Sequence, residues 1–185
     1  MLSSYRLPLD FDPARLKADL EHIAPDEWIA HFNTSEYEGQ WSGVALRSLG
    51  GRQSHIYPEV GPDKAFAGTP LLARAPYLQE VLASFECPLH SVRLLKLAAG
   101  SSILEHSDLL LSYEEGVARI HVPVQTDERV AFFLNGERVP MREGETWYLN
   151  FSLPHRVENR SPLDRIHLVL DCKPDEWLRA KFPAS

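Results

Sequence analysis

The second half of the sequence, from Ser91 onward, consists of short apolar stretches separated by turn residues. Asn135-Gly136 lies between two of these stretches, and this dipeptide is the strongest short-range signal for a β-hairpin. Many short strands joined by turns that contain Gly and Pro are typical of an all-β barrel or sandwich. We predict strands over residues 92–98, 103–106, 117–125, 130–134, 137–140, 146–150 and 165–171.

The first half of the chain predicts a mixture of helix, strand and loop. Asp12-Pro13 indicates a helix start, because a capping acid precedes a proline at the first helical position. Leu16, Leu20 and Ile23 follow at the spacing of one buried helix face. We also predict a strand over residues 41–48, a polar loop over residues 50–68 and a second helix over residues 69–85.

The two halves are not separated by a linker, a repeat or a low-complexity segment. The length of 185 residues is sufficient for one domain with an ordinary hydrophobic core. We therefore predict a single domain over residues 1–185, in which an α/β support region (1–90) braces a β-barrel core (91–172).

Charge, hydropathy and cysteine content exclude several kinds of partner and setting. A formal net charge of -7 argues against a surface that follows nucleic-acid phosphates. The N-terminus does not resemble a signal peptide, and no stretch approaches the roughly 20 apolar residues of a membrane span. Cys87 and Cys172 do not stand in a ligand-like spacing, so we expect a reducing, cytoplasmic setting.

Two of the predicted strands carry arginine and histidine opposite an apolar face, because a strand places alternate side chains on opposite sides. One strand has Arg119 and His121 on its polar face, and the other has Arg165 and His167. Two interpretations remain open at this point. Either these side chains face water, or they line a ligand cavity inside a narrow barrel.

His106 and Asp108 form a His-x-Asp pair, which on an extended segment points both side chains to the same side. His155 follows later in the chain, on or beside another strand. Two histidines and one carboxylate on one side of a metal leave its opposite side open, as in the triad of non-haem iron oxygenases. These three residues are the candidate metal ligands.

Arg165 lies on the predicted strand that follows His155. In an oxygenase that uses 2-oxoglutarate, the distal carboxylate of this cosubstrate needs a partner deep in the barrel. A guanidinium gives a planar, two-pronged match to a carboxylate that lysine cannot give. The alternative for Arg165 is a structural salt bridge with Asp164 or Asp171.

Six motifs in the second half of the chain follow one another in a defined order. They are RLLKLAAG at 93–100, HSD at 106–108, RIH at 119–121, GETWYLN at 144–150, LPH at 153–155 and RIHLVLD at 165–171. In order and spacing they resemble the aspartyl/asparaginyl β-hydroxylase family, whose members are Fe(II)/2-oxoglutarate oxygenases of the double-stranded β-helix fold. Upstream, Gly39-Gln40-Trp41 and Leu46-Arg47 are similar to the small bacterial members that resemble L-proline cis-4-hydroxylase.

The resemblance implies a mainly β, cupin-like jelly-roll barrel with an N-terminal α/β support. It also implies that the protein uses Fe(II), 2-oxoglutarate and O2. His106, Asp108 and His155 are then the iron ligands. Some family members have no acid at the position of Asp108, so this chain has the fuller set of metal ligands.

By the same resemblance, Arg165 binds the distal carboxylate of 2-oxoglutarate, while Arg119 and His121 help to hold cosubstrate or substrate carboxylates. Arg119 and Arg47 are the residues available for a carboxylate of the substrate. Leu95 stands where some members have a serine that assists cosubstrate binding, and an apolar side chain does not make that contact.

The resemblance implies a hydroxylase, and with the arginines that remain available we expect it to act on a small, carboxylate-bearing molecule, a free amino acid such as proline. One alternative substrate is an Asp or Asn side chain in a short peptide. A second alternative, from a different class, is a non-oxidative cupin that binds a small acid together with Zn(II) or Mn(II).

Overall fold

The computed structural model describes residues 2–59 and 61–183, and this part of the chain is mainly β. Its strands are β1 (Ser4–Asp10), β2 (Ile29–Ala30), β3 (Tyr37–Glu38), β4 (Trp41–Leu49), β5 (Phe66–Gly68), β6 (Leu89–Leu97), β7 (Ser102–His106), β8 (Ala118–Gln125), β9 (Val130–Leu134), β10 (Glu137–Arg138), β11 (Glu145–Leu149), β12 (His155–Asn159) and β13 (Arg165–Cys172). Its α-helices are α1 (Pro13–Leu20), α2 (Pro76–Ala83) and α3 (Glu176–Arg179). None of these described helices has the length and apolar character that a membrane span requires.

The strands form two antiparallel sheets. The larger sheet has the order β1-β11-β8-β13-β6-β4-β2 with β5 paired to β4, and the smaller sheet has the order β10-β9-β12-β7-β3. The sheets pack face to face, since one hydrophobic cluster joins Leu97 and Val169 of the larger sheet to Ile103, Phe132 and Val157 of the smaller. This is a jelly-roll architecture, so the predicted mainly β, cupin-like fold class is confirmed.

The outer face of the larger sheet is covered by the helices. Leu16 of α1 and Leu78 of α2 are fully buried there, in one cluster with Ile120 of β8 and Leu168 of β13. The opposite faces of β8 and β13 point between the two sheets, and the arginine and histidine side chains on those faces are buried as well. Exposure of these polar side chains to water is therefore the wrong interpretation.

Helix α1 begins at the predicted position and is capped by a side chain. Asp12 Oδ1 accepts hydrogen bonds from the backbone N–H of Ala14 at 2.9 Å and of Arg15 at 3.3 Å. The buried carboxylate of Asp19, in the same helix, accepts a hydrogen bond from the N–H of Leu78 at 2.7 Å. Carboxylates of the first helix thus satisfy donors near the N-termini of both helices on this face of the sheet.

We expect Asp12→Ala to lower the free energy of unfolding by about 1 kcal/mol, because two backbone N–H groups lose their acceptor. Urea denaturation followed by circular dichroism measures this difference. Glu86→Ala is a matched control, since Glu86 is an exposed acid that lies after the end of α2. An equal loss of stability in the control would contradict the capping role.

The second helix is shorter than predicted, because the chain between residues 69 and 85 is interrupted. A 3₁₀ turn covers Leu72–Arg74, and α2 begins only at Pro76. Ala75 lies between them with φ -115° and ψ 83°, outside the helical region. A residue that precedes proline is disfavoured in the helical conformation, so the break falls where the sequence places Pro76.

The predicted loop over residues 50–68 also contains regular structure that the sequence analysis did not anticipate. Asp63–Ala65 forms a 3₁₀ turn, and Phe66–Gly68 forms β5 on the edge of the larger sheet. The turn that precedes this segment contains Gly50 and Gly51, with φ values of 68° and 66° that favour glycine. The end of this segment therefore folds back and pairs with β4, and the predicted loop is only partly irregular.

The hairpin predicted at Asn135-Gly136 is confirmed. Asn135 and Gly136 have φ values of 50° and 80°, and Leu134 pairs with Glu137 across the turn. Two consecutive positive φ values are those of the type I′ turn, whose twist matches the twist of the flanking strands.

Candidate metal centre and active site

A cavity of about 140 Å³ lies between the two sheets. The larger sheet contributes Leu95 and Val169 to its wall, and the smaller sheet contributes Ile103, Phe132 and Val157. These apolar side chains share the cavity wall with the polar residues predicted from the sequence. The cavity therefore combines an apolar lining with a small number of charged and metal-ligating groups, as small-molecule sites do.

The structure brings His106, Asp108 and His155 together in this cavity. His106 ends β7, His155 begins β12, and the two residues are cross-strand partners in the smaller sheet. Asp108 follows in the loop after β7, with Oδ1 3.8 Å from His106 Nε2. One ligand atom from each residue lies within 4.8 Å of the others, which is close enough for all three to hold one metal ion.

Both histidines have Nε2 available to the centre of this triad, because Nδ1 is engaged by the backbone. His106 Nδ1 donates to the carbonyl oxygen of Leu104 at 2.7 Å, and His155 Nδ1 donates to that of Leu153 at 3.0 Å. A carbonyl oxygen only accepts, so Nδ1 carries a proton in both rings, and in a neutral ring the lone pair is then on Nε2. Burial lowers the pKa of His155 to about 4, which keeps this ring neutral at pH 7.

Asp108 is held by a buried ion-pair network. Arg119 donates from Nη1 to Asp108 Oδ2 at 2.7 Å, and from Nε and Nη2 to the two oxygens of Asp171 at 2.7 and 3.1 Å. Arg93 also donates to Asp171. Burial raises the pKa of Asp171, but the two guanidiniums outweigh it and hold that pKa below its usual value. Arg119 therefore binds two carboxylates of the protein itself, and leaves Asp108 Oδ1 facing His106.

Arg165 is buried in the same cavity and has no carboxylate partner among the described residues. Its side chain is 2% exposed, its Nη2 donates to His167 Nδ1 at 2.9 Å, and its Nε makes no hydrogen bond. Asp171 is occupied by Arg93 and Arg119. The alternative role of Arg165 in a structural salt bridge is therefore wrong for Asp171.

The same alternative fails for Asp164, whose Oδ1 accepts a hydrogen bond from the N–H of Ala99 at 3.2 Å and forms no ion pair with Arg165. Burial without a compensating anion lowers the pKa of Arg165 to about 9. An arginine in this state is stabilised by an anion that enters the cavity from outside.

His121 contacts His167, and His167 in turn contacts Arg165. Their Nδ1 atoms are 3.2 Å apart, and His167 Nδ1 already accepts from Arg165, so His121 Nδ1 is the donor between the two rings. Burial lowers the pKa of both rings well below the usual value, and His121 stacks on Phe151 at 5.1 Å. His121 Nε2 lines the cavity without a protein partner and is available as an acceptor.

One wall of the cavity comes from a segment that the sequence analysis missed. His31, Phe32 and Glu36, from the loop between β2 and β3, all face the cavity. The ring of His31 stacks on Trp41 with centroids 3.5 Å apart, and burial lowers the pKa of His31 to about 4. No periodic pattern marks a loop of this kind, so only the histidine and the acid themselves were available as signals.

Two basic side chains of the larger sheet, Arg47 and Lys96, do not reach the cavity. Arg47 lies on β4 outside the cavity lining, and its Nε donates to the carbonyl oxygen of Leu89 at 3.0 Å. Lys96 points to the outer face of the larger sheet, with Nζ 4.2 Å from the ring of Trp28. The structure therefore brings together the metal-ligand candidates with Arg165, Arg119 and His121, and leaves Arg47 apart from them.

A jelly roll that encloses two histidines and a carboxylate on one side of a cavity has the architecture of the non-haem iron oxygenase class. Within this class, the chain belongs to the aspartyl/asparaginyl β-hydroxylase family, whose model matches residues 12–174.

Characterised relatives and solved structures agree with this placement. The chain is 29% identical to L-proline cis-4-hydroxylase of Rhizobium meliloti over 175 residues, which is 91% of this chain and 61% of that protein. It is 26% identical to L-proline cis-3-hydroxylase 1 of a Streptomyces species over 171 residues, 88% of this chain and 57% of that protein. It thus spans about three fifths of the length of these relatives.

A solved structure has the same fold. It is a 2OG-Fe(II) oxygenase family oxidoreductase from Burkholderia pseudomallei, with 13% sequence identity and a TM-score of 0.58. The match covers 92% of this chain and 85% of that one.

Proposed function

We propose that this protein is an Fe(II)- and 2-oxoglutarate-dependent dioxygenase that hydroxylates a free amino acid. The observation that carries the proposal is the position of Arg165, a buried guanidinium without a carboxylate partner, in the same cavity as His106, Asp108 and His155. A metal triad alone fits many cupins. A metal triad beside an unpaired, buried arginine fits a cosubstrate that is both a metal ligand and a carboxylate.

The donor set fits Fe(II). His106 and His155 offer neutral imidazole nitrogens, and Asp108 offers the one carboxylate oxygen that Arg119 does not hold. Fe(II) with 2-oxoglutarate and O2, when bound, supplies hydroxylation of an unactivated C–H bond, with succinate and CO2 as the other products.

The remaining residues of the cavity position these groups and exclude water. Arg165 binds the distal carboxylate of the cosubstrate, and His167 orients Arg165 through its Nδ1. Arg119 keeps one oxygen of Asp108 engaged, so Asp108 presents a single oxygen to the metal. Phe132 and Phe151 form an apolar wall that keeps the reaction site dry.

The choice of a free amino acid as substrate is supported by the likeness to two proline hydroxylases over about nine tenths of the chain. A carboxylate of the substrate requires a cationic partner other than Arg165. Arg119 is engaged by two carboxylates and Arg47 lies outside the cavity lining. Arg93 also binds Asp171, but it lines the cavity and its buried Nε has no partner, so Arg93 is the candidate for the substrate carboxylate in place of Arg119 and Arg47.

We also propose that the N-terminal support region and the barrel form one domain. The cluster of buried residues on the outer face of the larger sheet combines Leu7, Leu16 and Leu78 from the first half with Ile120 and Leu168 from the second. Neither half has a complete hydrophobic core without the other.

The test of the function is the release of succinate when the protein, Fe(II), ascorbate and 2-oxoglutarate are mixed in air. We expect succinate to form, and to increase in the presence of one of the common L-amino acids, which gains one oxygen by mass spectrometry. Capped Asp and Asn peptides are the comparison, and a gain of oxygen in these alone would favour the peptide alternative. Absence of succinate with every candidate would favour a non-oxidative cupin.

A further inference from the structure

Glu36 is a second carboxylate beside the candidate metal centre. It lies in the loop between β2 and β3 and lines the cavity, with Oε2 3.5 Å from His106 Nε2 and its side chain 29% exposed. Its backbone is fixed to the smaller sheet, since the carbonyl oxygen of Glu36 accepts from the N–H of Leu104 at 2.7 Å. Its N–H donates to the carbonyl oxygen of Asn33 at 3.2 Å. The position of the acid next to His106 is therefore set by the fold.

The protein supplies no cationic partner for Glu36 within the described residues. His106 Nδ1 is bound to the carbonyl oxygen of Leu104, so Nε2, which faces Glu36, is the atom that would bind the metal and would then have no hydrogen to donate. No lysine or arginine of the described chain forms an ion pair with Glu36, whereas Asp108, the other carboxylate in the cavity wall, is bound by Arg119. When the cavity is occupied, the partner available to Glu36 is therefore a metal ion or a cation of the substrate.

Charge balance favours a cation that belongs to a zwitterion. Fe(II) and the dianion of 2-oxoglutarate cancel each other formally. In and behind the cavity wall, three guanidiniums match three carboxylates: Arg93, Arg119 and Arg165 with Asp108, Asp171 and Glu36. A ligand with one ammonium and one carboxylate therefore keeps the formal charge of the occupied cavity at zero, whereas an acylated amino acid, which has lost the ammonium, adds one negative charge.

We propose that Glu36 binds the protonated amine of a free amino-acid substrate, and thereby discriminates against acylated amino acids and residues within a peptide. This inference rests on the proposed function. An amine bound to Glu36 lies beside His106, so the carbons attached to that amine are presented next to the metal centre. The cyclic ammonium of proline and the primary ammonium of other amino acids both fit this description.

The experiment compares two probes that differ only in the amine. L-proline and tetrahydrofuran-2-carboxylate, in which an ether oxygen replaces the ammonium, are titrated under anaerobic conditions into the protein loaded with Fe(II) and 2-oxoglutarate. We expect Glu36→Gln to weaken L-proline binding by about tenfold or more, since a hydrogen bond to a charged group contributes about 1.5–3 kcal/mol. Binding of the cyclic ether should not weaken.

Glu38→Gln is the matched control, because Glu38 is an exposed acid on β3 outside the cavity and undergoes the same isosteric change. It should leave the affinity for both probes unchanged. The Fe(II) affinity of Glu36→Gln, measured by anaerobic titration without either probe, separates the two kinds of partner. An unchanged Fe(II) affinity supports an amine partner, and a weakened one would make Glu36 a metal ligand and overturn the inference.

An equal loss for L-proline and the cyclic ether, or no binding of L-proline by the wild type, would also overturn it. The release of succinate by the wild type separates this failure from that of the proposed function. If succinate forms and Glu36→Gln does not distinguish the probes, only the role of Glu36 is wrong. If the wild type forms no succinate, the proposed function itself fails.

Discussion

His155→Ala should remove the metal from the protein and abolish turnover. His155 is buried at the start of β12, and the loss of its Nε2 leaves only His106 and Asp108 as ligands. Replacement of a group that merely supports a ligand costs about 10–100-fold in metal affinity or activity, so loss of a ligand itself should cost more. Anaerobic titration with Fe(II) measures the affinity, and succinate formation measures turnover.

His22→Ala is the control for this variant, because His22 is an exposed histidine at the end of α1, outside the cavity. It should bind Fe(II) as the wild type does. Stoichiometric binding of Fe(II) and normal turnover by His155→Ala would show that the triad is assigned to the wrong residues.

Arg165→Met should raise the concentration of 2-oxoglutarate that the protein requires by roughly 30-fold or more, because removal of one partner of a buried charge pair costs about 2–5 kcal/mol. The fold should remain intact, since methionine fills a similar space and removes a buried charge that has no protein carboxylate beside it. The measurement is the anaerobic affinity for 2-oxoglutarate, together with the dependence of succinate formation on its concentration.

Arg142→Met provides the matched comparison, because Arg142 is exposed and lies outside the cavity. It should have the 2-oxoglutarate dependence of the wild type. If Arg165→Met also retained that dependence, the anchor would have to be another cation. Lys96 lies over Trp28 and outside the cavity lining, so Arg93 would be the next residue to test.

The barrel was predictable because its signals are local. The turn at Asn135-Gly136 places its two flanking strands, and the alternation of residues in β8 and β13 assigns one face of each strand to the core. Strand β1 was missed because it contains Pro8 and lies on the edge of the larger sheet, where proline is tolerated but the sequence pattern is weak.

The site was predictable in part for a related reason. His106 and Asp108 are two residues apart, and their common direction follows from the geometry of an extended chain. The ion pair between Asp108 and Arg119 depends instead on how β8 lies relative to the loop after β7, which no local pattern encodes. Arg119 was accordingly expected to bind a ligand, whereas its guanidinium is occupied by the protein.

Glu36 was not identified from the sequence for the same physical reason. It stands in a loop that is placed beside the metal centre by a backbone hydrogen bond to Leu104 and by the pairing of β3 with β7, and both form only when the edge of the smaller sheet assembles. Loops carry binding residues on a rigid scaffold, and their positions follow from the scaffold rather than from their own composition.

The proposed role of Arg165 also couples the stability of the folded chain to the concentration of its ligand. A guanidinium buried without an anion makes the empty protein less stable than its hydrophobic core alone would allow. A dicarboxylate that binds only the folded chain adds about 2.7 kcal/mol at a concentration of about 100 times its dissociation constant. Proteolysis acts on transiently opened molecules, and this stabilisation lowers the population of opened molecules about 100-fold. If 2-oxoglutarate is this anion, as proposed, its concentration would therefore set how long the folded protein resists proteolysis.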